Sequence, residues 1–122
     1  MITKINGIIG RGKQLGRTVG MPTANLVPEG DVSGIEDGVY AAVMEINGER
    51  FLGVTNVGRR PTVDDELHRT IETYLLDFDR DVYGESVILE LHQYLRPVQK
   101  FATIEEVKAQ VEEDIKRINI SL

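Results

Sequence analysis

Before residue 103 the apolar residues fall in short β-rich runs, one of them strictly alternating, and after it they recur at intervals of three and four. That change of period separates strands from a helix. Val39–Ile46 and Glu49–Val54 flank Asn47-Gly48, a dipeptide that readily takes the two consecutive positive-φ positions of a type I′ turn. Residues 38–56 are therefore expected to form a hairpin. Ile71–Phe78 and Val87–Leu95 are two further β-rich runs, joined by the turn-like segment 79–84. In the second run Val87, Leu89 and Leu91 alternate with Ile88, Glu90 and His92, the pattern of a half-buried strand. Ile104, Val107, Val111, Ile115 and Ile118 mark one face of an amphipathic helix. Thr103 and Glu106 stand at capping-box spacing at its start. Glu105, Glu106, Glu112, Glu113 and Asp114 are assigned to its solvated face and not to a metal site. Strands first and one helix last predict a mainly β fold, an antiparallel sheet or small barrel with a helix packed against it.

Composition narrows the class. No repeat, low-complexity tract or linker divides the 122 residues, so residues 1–122 are expected to form one domain. Hydrophobic residues make up 41% and charged residues 28%, too apolar a balance for a disordered chain. The formal net charge of −6 argues against a nucleic-acid partner, since that affinity comes from many Lys and Arg contacts to phosphates. It leaves room for a small anion, which responds only to the local field. The absence of cysteine removes disulfides, thiolate metal sites and a cysteine nucleophile. No apolar stretch suits a signal peptide or a membrane span. The expectation is a cytoplasmic protein without a membrane partner, and one barrel this small is expected to work as a monomer.

The densest chemistry lies in Gly12–Asn25. Glycines at 10, 12, 16 and 20 permit close backbone approach to a ligand, and successive N–H groups can form an anion-binding concavity. Lys4, Arg11, Lys13 and Arg17 stand against a single acidic residue, Glu29, in the first thirty positions. The order Gly-x4-Gly-Lys-Ser/Thr is absent, so this is not a P-loop. Taken alone, the cluster also fits a turn-rich loop. Pro22 fixes its own φ and biases Met21 towards extended backbone. Thr23 and Asn25, two apart on an extended strand, then point the same way. Both offer neutral oxygens, which suit Mg²⁺ only when phosphates bring the negative charge. The alternative is a strand end whose Asn caps a turn. Further on, Glu72 stands between Ile71 and Leu75 and reads, by itself, as either an exposed strand residue or a carboxylate held for chemistry.

The series Gly12-x3-Gly16-Arg17-x2-Gly20-x-Pro22-Thr23-Ala24-Asn25 resembles the signature of the flavokinase (riboflavin kinase) family. Gly38-Val39-Tyr40, the segment 56–62, Glu72-Thr73 with residues 75–78, Tyr83-Gly84, and residues 94–101 match it further, in order. The resemblance spans roughly residues 7 to 118. It implies a six-stranded antiparallel Greek-key barrel with a C-terminal helix. It also implies transfer of the γ-phosphate of ATP to the ribityl 5′-hydroxyl of riboflavin, giving FMN and ADP. Carried over position by position, it makes Glu72 the general base. Gly12, Arg17, Thr23, Asn25 and Tyr83 become nucleotide-binding residues, Thr23 and Asn25 the metal ligands, and Arg96 and Phe101 the flavin-binding residues. The metal implied is Mg²⁺ carried with ATP, with Mn²⁺ and Zn²⁺ left open. Tyr74 departs from the pattern, because family members commonly carry His there. Two rivals stand beside the kinase: a barrel that binds flavin or nucleotide without turnover, and the kinase part of a larger enzyme. The residues of a domain converting FMN to FAD are not in this sequence, so FAD synthesis is not expected of it.

Overall fold

A computed structural model of the chain describes residues 2–10, 23–61 and 67–120. Among the described residues six strands precede one helix: β1 (Thr3–Gly10), β2 (Thr23–Pro28), β3 (Gly38–Ile46), β4 (Glu49–Pro61), β5 (Leu67–Leu75), β6 (Ser86–Arg96) and α1 (Ile104–Lys116). They close into a barrel in the order β1-β2-β5-β4-β3-β6, with every neighbouring pair antiparallel. β3, β4 and β5 form a meander, and β6 returns to lie beside β3, which is a Greek key. Closure leaves no sheet edge open.

The expected hairpin is β3–β4. Asn47 and Gly48 have φ of 52° and 82°, the pair of left-handed residues that lets a two-residue loop follow the strand twist. The second β-rich run is β6, as expected. The first ends earlier than its composition suggests: β5 stops at Leu75, and the chain turns through Asp77 at φ 52°. His68 falls within β5.

Alternation sorts the side chains of each strand between lumen and outer wall. Ile5, Ile9, Leu26, Met44, Ile46, Val57, Ile71, Leu75 and Leu89 fill the lumen, each worth about 1.5–3 kcal/mol when fully buried. The lumen is thus a packed core. One polar pair sits in β4 and β5: the hydroxyls of Thr55 and Thr73 lie 2.7 Å apart and fully buried, each satisfying the other. A second apolar cluster lies on the outer wall, where Val39, Ala41, Val54 and Leu95 meet Ile115, Ile118 and Ile120. That contact docks α1. Thr103 caps the helix, its Oγ1 accepting from Glu106 N at 3.2 Å. Glu106 accepts in turn from Ala102 N at 3.4 Å, so the capping box forms one residue upstream of its ideal partner.

Two carboxylates are buried, and one of them, Asp114, was assigned to the solvated face of its helix. Asp114 has no exposed surface. Arg96 donates to both its oxygens at 2.9 Å from Nε and Nη2. Glu90, on the outward-facing alternation of β6, is 6% exposed. It accepts from both Nη atoms of Arg50 at 3.0 Å and lies 2.9 Å from His92 Nε2. In each case an arginine distant in sequence covers the carboxylate, which is what makes its burial tolerable.

Candidate active site

With the described lumen packed, the cavity that gathers the residues singled out above lies on the outer wall, across three adjacent strands. On β2, Ala24 and Leu26 turn inward, so Thr23 and Asn25 share the outer face, as their spacing predicts. On β5, Ile71, Thr73 and Leu75 are buried in the barrel, which sends Glu72 and Tyr74 outward. On β4 the same parity sends Val54 and Asn56 outward. The register lines these residues up in two rows. Asn25 stands opposite Glu72 and Glu72 opposite Asn56, while Thr23 stands opposite Tyr74 and Tyr74 opposite Val54. Facing residues of antiparallel strands hold their Cβ atoms about 4.5–5.5 Å apart, so the two rows form one continuous patch.

Over this patch lies a cavity of about 260 Å³. Its floor is Thr23, Val54, Asn56, Glu72 and Tyr74. Its far walls are Arg96 at the end of β6, Phe101 and Gln99 in the segment after it, and Val107 and Val111 on α1. The lining is mostly apolar, with a few converging polar groups, the usual character of a small-molecule site. The Arg96 guanidinium carbon sits 5.9 Å from the centre of the Phe101 ring, within cation–π range.

A second, smaller hollow of about 20 Å³ lies against the same β2 strand. Thr23, Leu75, Phe78, Arg80, Asp81 and Tyr83 are among its lining residues. Arg80 stands 5.3 Å and 5.2 Å from the ring centres of Phe51 and Phe78, which pack edge to face. Tyr83 is 53% exposed, and its backbone N–H donates to Asp81 Oδ1 at 3.0 Å. Thr23 borders both spaces.

Of the residues picked out by sequence, Thr23, Glu72, Arg96 and Phe101 come together around one cavity. Asn25 adjoins it through its register with Glu72. Tyr83 belongs to the second hollow. Gly12 and Arg17 lie outside the described residues. Arg96 contributes differently from a simple ligand donor, because Asp114 takes two of its N–H groups and the carbonyl of Pro97 accepts from Nη1 at 3.2 Å. Sequence reasoning missed Asn56 and Asp114 and left the orientation of Tyr74 open. The two-residue period of β4 and β5 carries the signal for Asn56 and Tyr74. For Asp114 the signal is its place three residues after Val111 and four before Ile118, on the apolar stripe of α1.

Among the described residues no three His, Asp or Glu side chains cluster as a metal cage. Thr23 and Asn25 share the outer face of β2 beside Glu72 and offer two neutral oxygens. Such a set fits a Mg²⁺ ion whose remaining ligands are phosphate oxygens and water.

Comparison with known proteins identifies the family. The family model for flavokinase, described as riboflavin kinase, matches residues 2–122. The RNA-binding riboflavin kinase of Bacillus subtilis is 39% identical, over 93% of this chain and 49% of its own. The bifunctional riboflavin kinase/FMN adenylyltransferase of Escherichia coli K12 is 41% identical, over 90% of this chain and 35% of its own. The chain thus spans between a third and a half of these relatives' length. Among solved structures, riboflavin kinase from Trypanosoma brucei has the same fold, with a TM-score of 0.65 at 22% identity over 95% of this chain and 76% of that one. A Streptococcus pneumoniae chain named as a macrolide-efflux protein superposes with a TM-score of 0.85 at 31% identity, over 93% of this chain and 37% of its own.

Proposed function

The chain belongs to the flavokinase (riboflavin kinase) family, and from that premise we propose that it phosphorylates riboflavin to FMN at the outer-wall cavity, with ATP as donor. The observation that carries the reading is the convergence of Thr23, Glu72, Arg96 and Phe101 from separate parts of the chain onto one cavity, with Asn25 beside Glu72.

In this reading the flavin ring lies against Phe101 and the face of Arg96, and its ribityl chain runs along the wall towards Glu72. The nucleotide lies on the Tyr83 side of β2, so that Thr23, which borders both spaces, marks where the two substrates meet. Gly12 and Arg17 contact the phosphates. The 5′-hydroxyl oxygen attacks the γ-phosphorus, the bond to the β-phosphate oxygen breaks, and ADP leaves. The hydroxyl proton passes to the Glu72 carboxylate. General-base help of this sort is worth roughly 10² to 10⁴-fold. In a loose phosphoryl transition state, positioning and charge neutralisation contribute more than proton removal. Thr23 and Asn25 would hold Mg²⁺ together with the phosphates, and the ion would supply that neutralisation.

The direct test is to incubate the purified protein with riboflavin, ATP and Mg²⁺ and resolve FMN by chromatography. FMN formation that depends on both nucleotide and metal is the expected result. Quenching of riboflavin fluorescence without FMN would make the barrel a flavin binder and not a kinase.

A further inference from the structure

We infer that Asp114, on α1, is a positioning residue of the cavity: through the Arg96 guanidinium it sets the wall that Arg96 and Phe101 present to a planar ligand. The inference deepens the proposed function and rests on it.

Asp114 is fully buried on a helix whose other acidic residues are exposed. Its two oxygens accept from Nε and Nη2 of Arg96, both at 2.9 Å, and Gln110 Nε2 donates to Oδ1 at 3.2 Å. Stability alone is a weak explanation for this arrangement. A buried ion pair gains little net over well-packed apolar residues, because both charges must leave water. What the two-pronged pair does supply is orientation, since the planar guanidinium can meet a carboxylate this way in few poses.

The pose has consequences in the cavity. With Nε and Nη2 turned to Asp114 and Nη1 donating to the Pro97 carbonyl, Arg96 has three of its five N–H positions engaged by the protein. Its carbon lies 5.9 Å from the Phe101 ring centre, and both residues line the cavity whose α1 wall is Val107 and Val111. Asp114 therefore ties the helix to the segment after β6 at the point where that segment meets the ligand space. A wall fixed before binding spares the ligand the entropy of ordering it. A planar flavin should register the loss of this anchor, and a nucleotide on the Thr23–Tyr83 side should not.

The test measures riboflavin affinity by fluorescence quenching, together with steady-state kinetics, in Asp114→Asn, Gln110→Ala, Arg96→Lys and the Asp114→Asn/Arg96→Lys double variant. In Asp114→Asn, Kd and KM for riboflavin are expected to rise about 10-fold. KM for ATP should move by less than about 2-fold, and kcat should fall less than the riboflavin KM rises. Adding Asp114→Asn to Arg96→Lys should cost little more, because the two act as a unit. Unchanged riboflavin affinity in a folded Asp114→Asn protein would overturn the inference, as would full additivity with Arg96→Lys. If Asp114→Asn does not fold, Gln110→Ala decides: a smaller, riboflavin-selective loss supports the inference, and no change overturns it. Wild-type protein that binds riboflavin without turnover removes the kinase reading and leaves the binding test of Asp114 standing. Wild-type protein that does not bind riboflavin removes both.

Discussion

Glu72 shows how far a single residue can be read in advance. Its charge inside a β-rich run marked it, but only the register, with Asn25 on one side and Asn56 on the other, shows that it faces a polar row on the outer wall. Glu72→Gln keeps the side chain's shape and removes its capacity as a base. The expected outcome is riboflavin binding close to wild type and kcat lower by roughly 10²-fold or more, checked by quenching and by single-turnover FMN formation. Near-normal turnover in that variant would take the base role away from Glu72. Asp114 and Glu90 mark the limit of such reading. Their partners lie 18 and 40 residues away, and an acidic residue in sequence looks the same whether or not a distant arginine folds over it.

At the level of elements, periodicity predicted well and pairing did not. The β3–β4 hairpin and the amphipathic α1 were legible because their signals are local: an Asn-Gly turn, and a three-to-four repeat behind a capping threonine. The pairing of β2 with β5 was not, because it joins segments with two whole strands between them. That pairing decides the standing of Tyr74. Its parity with Glu72 and its register with Thr23 put it in the cavity, so the departure from the family's usual His falls within the site. If the ring serves as a wall, Tyr74→Phe should change the riboflavin KM by less than about 3-fold. Tyr74→Ala, which withdraws apolar contact worth about 1.5–3 kcal/mol, should raise it about 10-fold or more. A large loss in Tyr74→Phe would instead assign the hydroxyl a hydrogen bond to the ligand.

For the whole molecule, the closed barrel and its terminal helix agree with the expected Greek-key architecture, and the stability of that barrel carries an acid-sensitive component. Hydrogen bonds from Arg50, then from His92, hold the Glu90 carboxyl at about 2, below its ordinary 4.5. A carboxyl depressed on folding adds stability that is complete above about pH 4.5 and is lost as pH falls towards 2. Because Arg50 is 39% exposed, solvent screening weakens the contribution. Urea midpoints at pH 7 and pH 3 should therefore differ more in wild type than in Glu90→Gln, and equal differences would mean that the cluster contributes nothing measurable. The division of the barrel wall also matters to anyone altering the protein. Along β5, positions 71, 73 and 75 belong to the packed lumen, and positions 72 and 74 face the outer-wall cavity. A library randomised at the even positions searches chemistry on a nearly constant scaffold, whereas one randomised at the odd positions searches melting temperature with the chemistry left in place. Selection can act on the two in alternation, along a single strand.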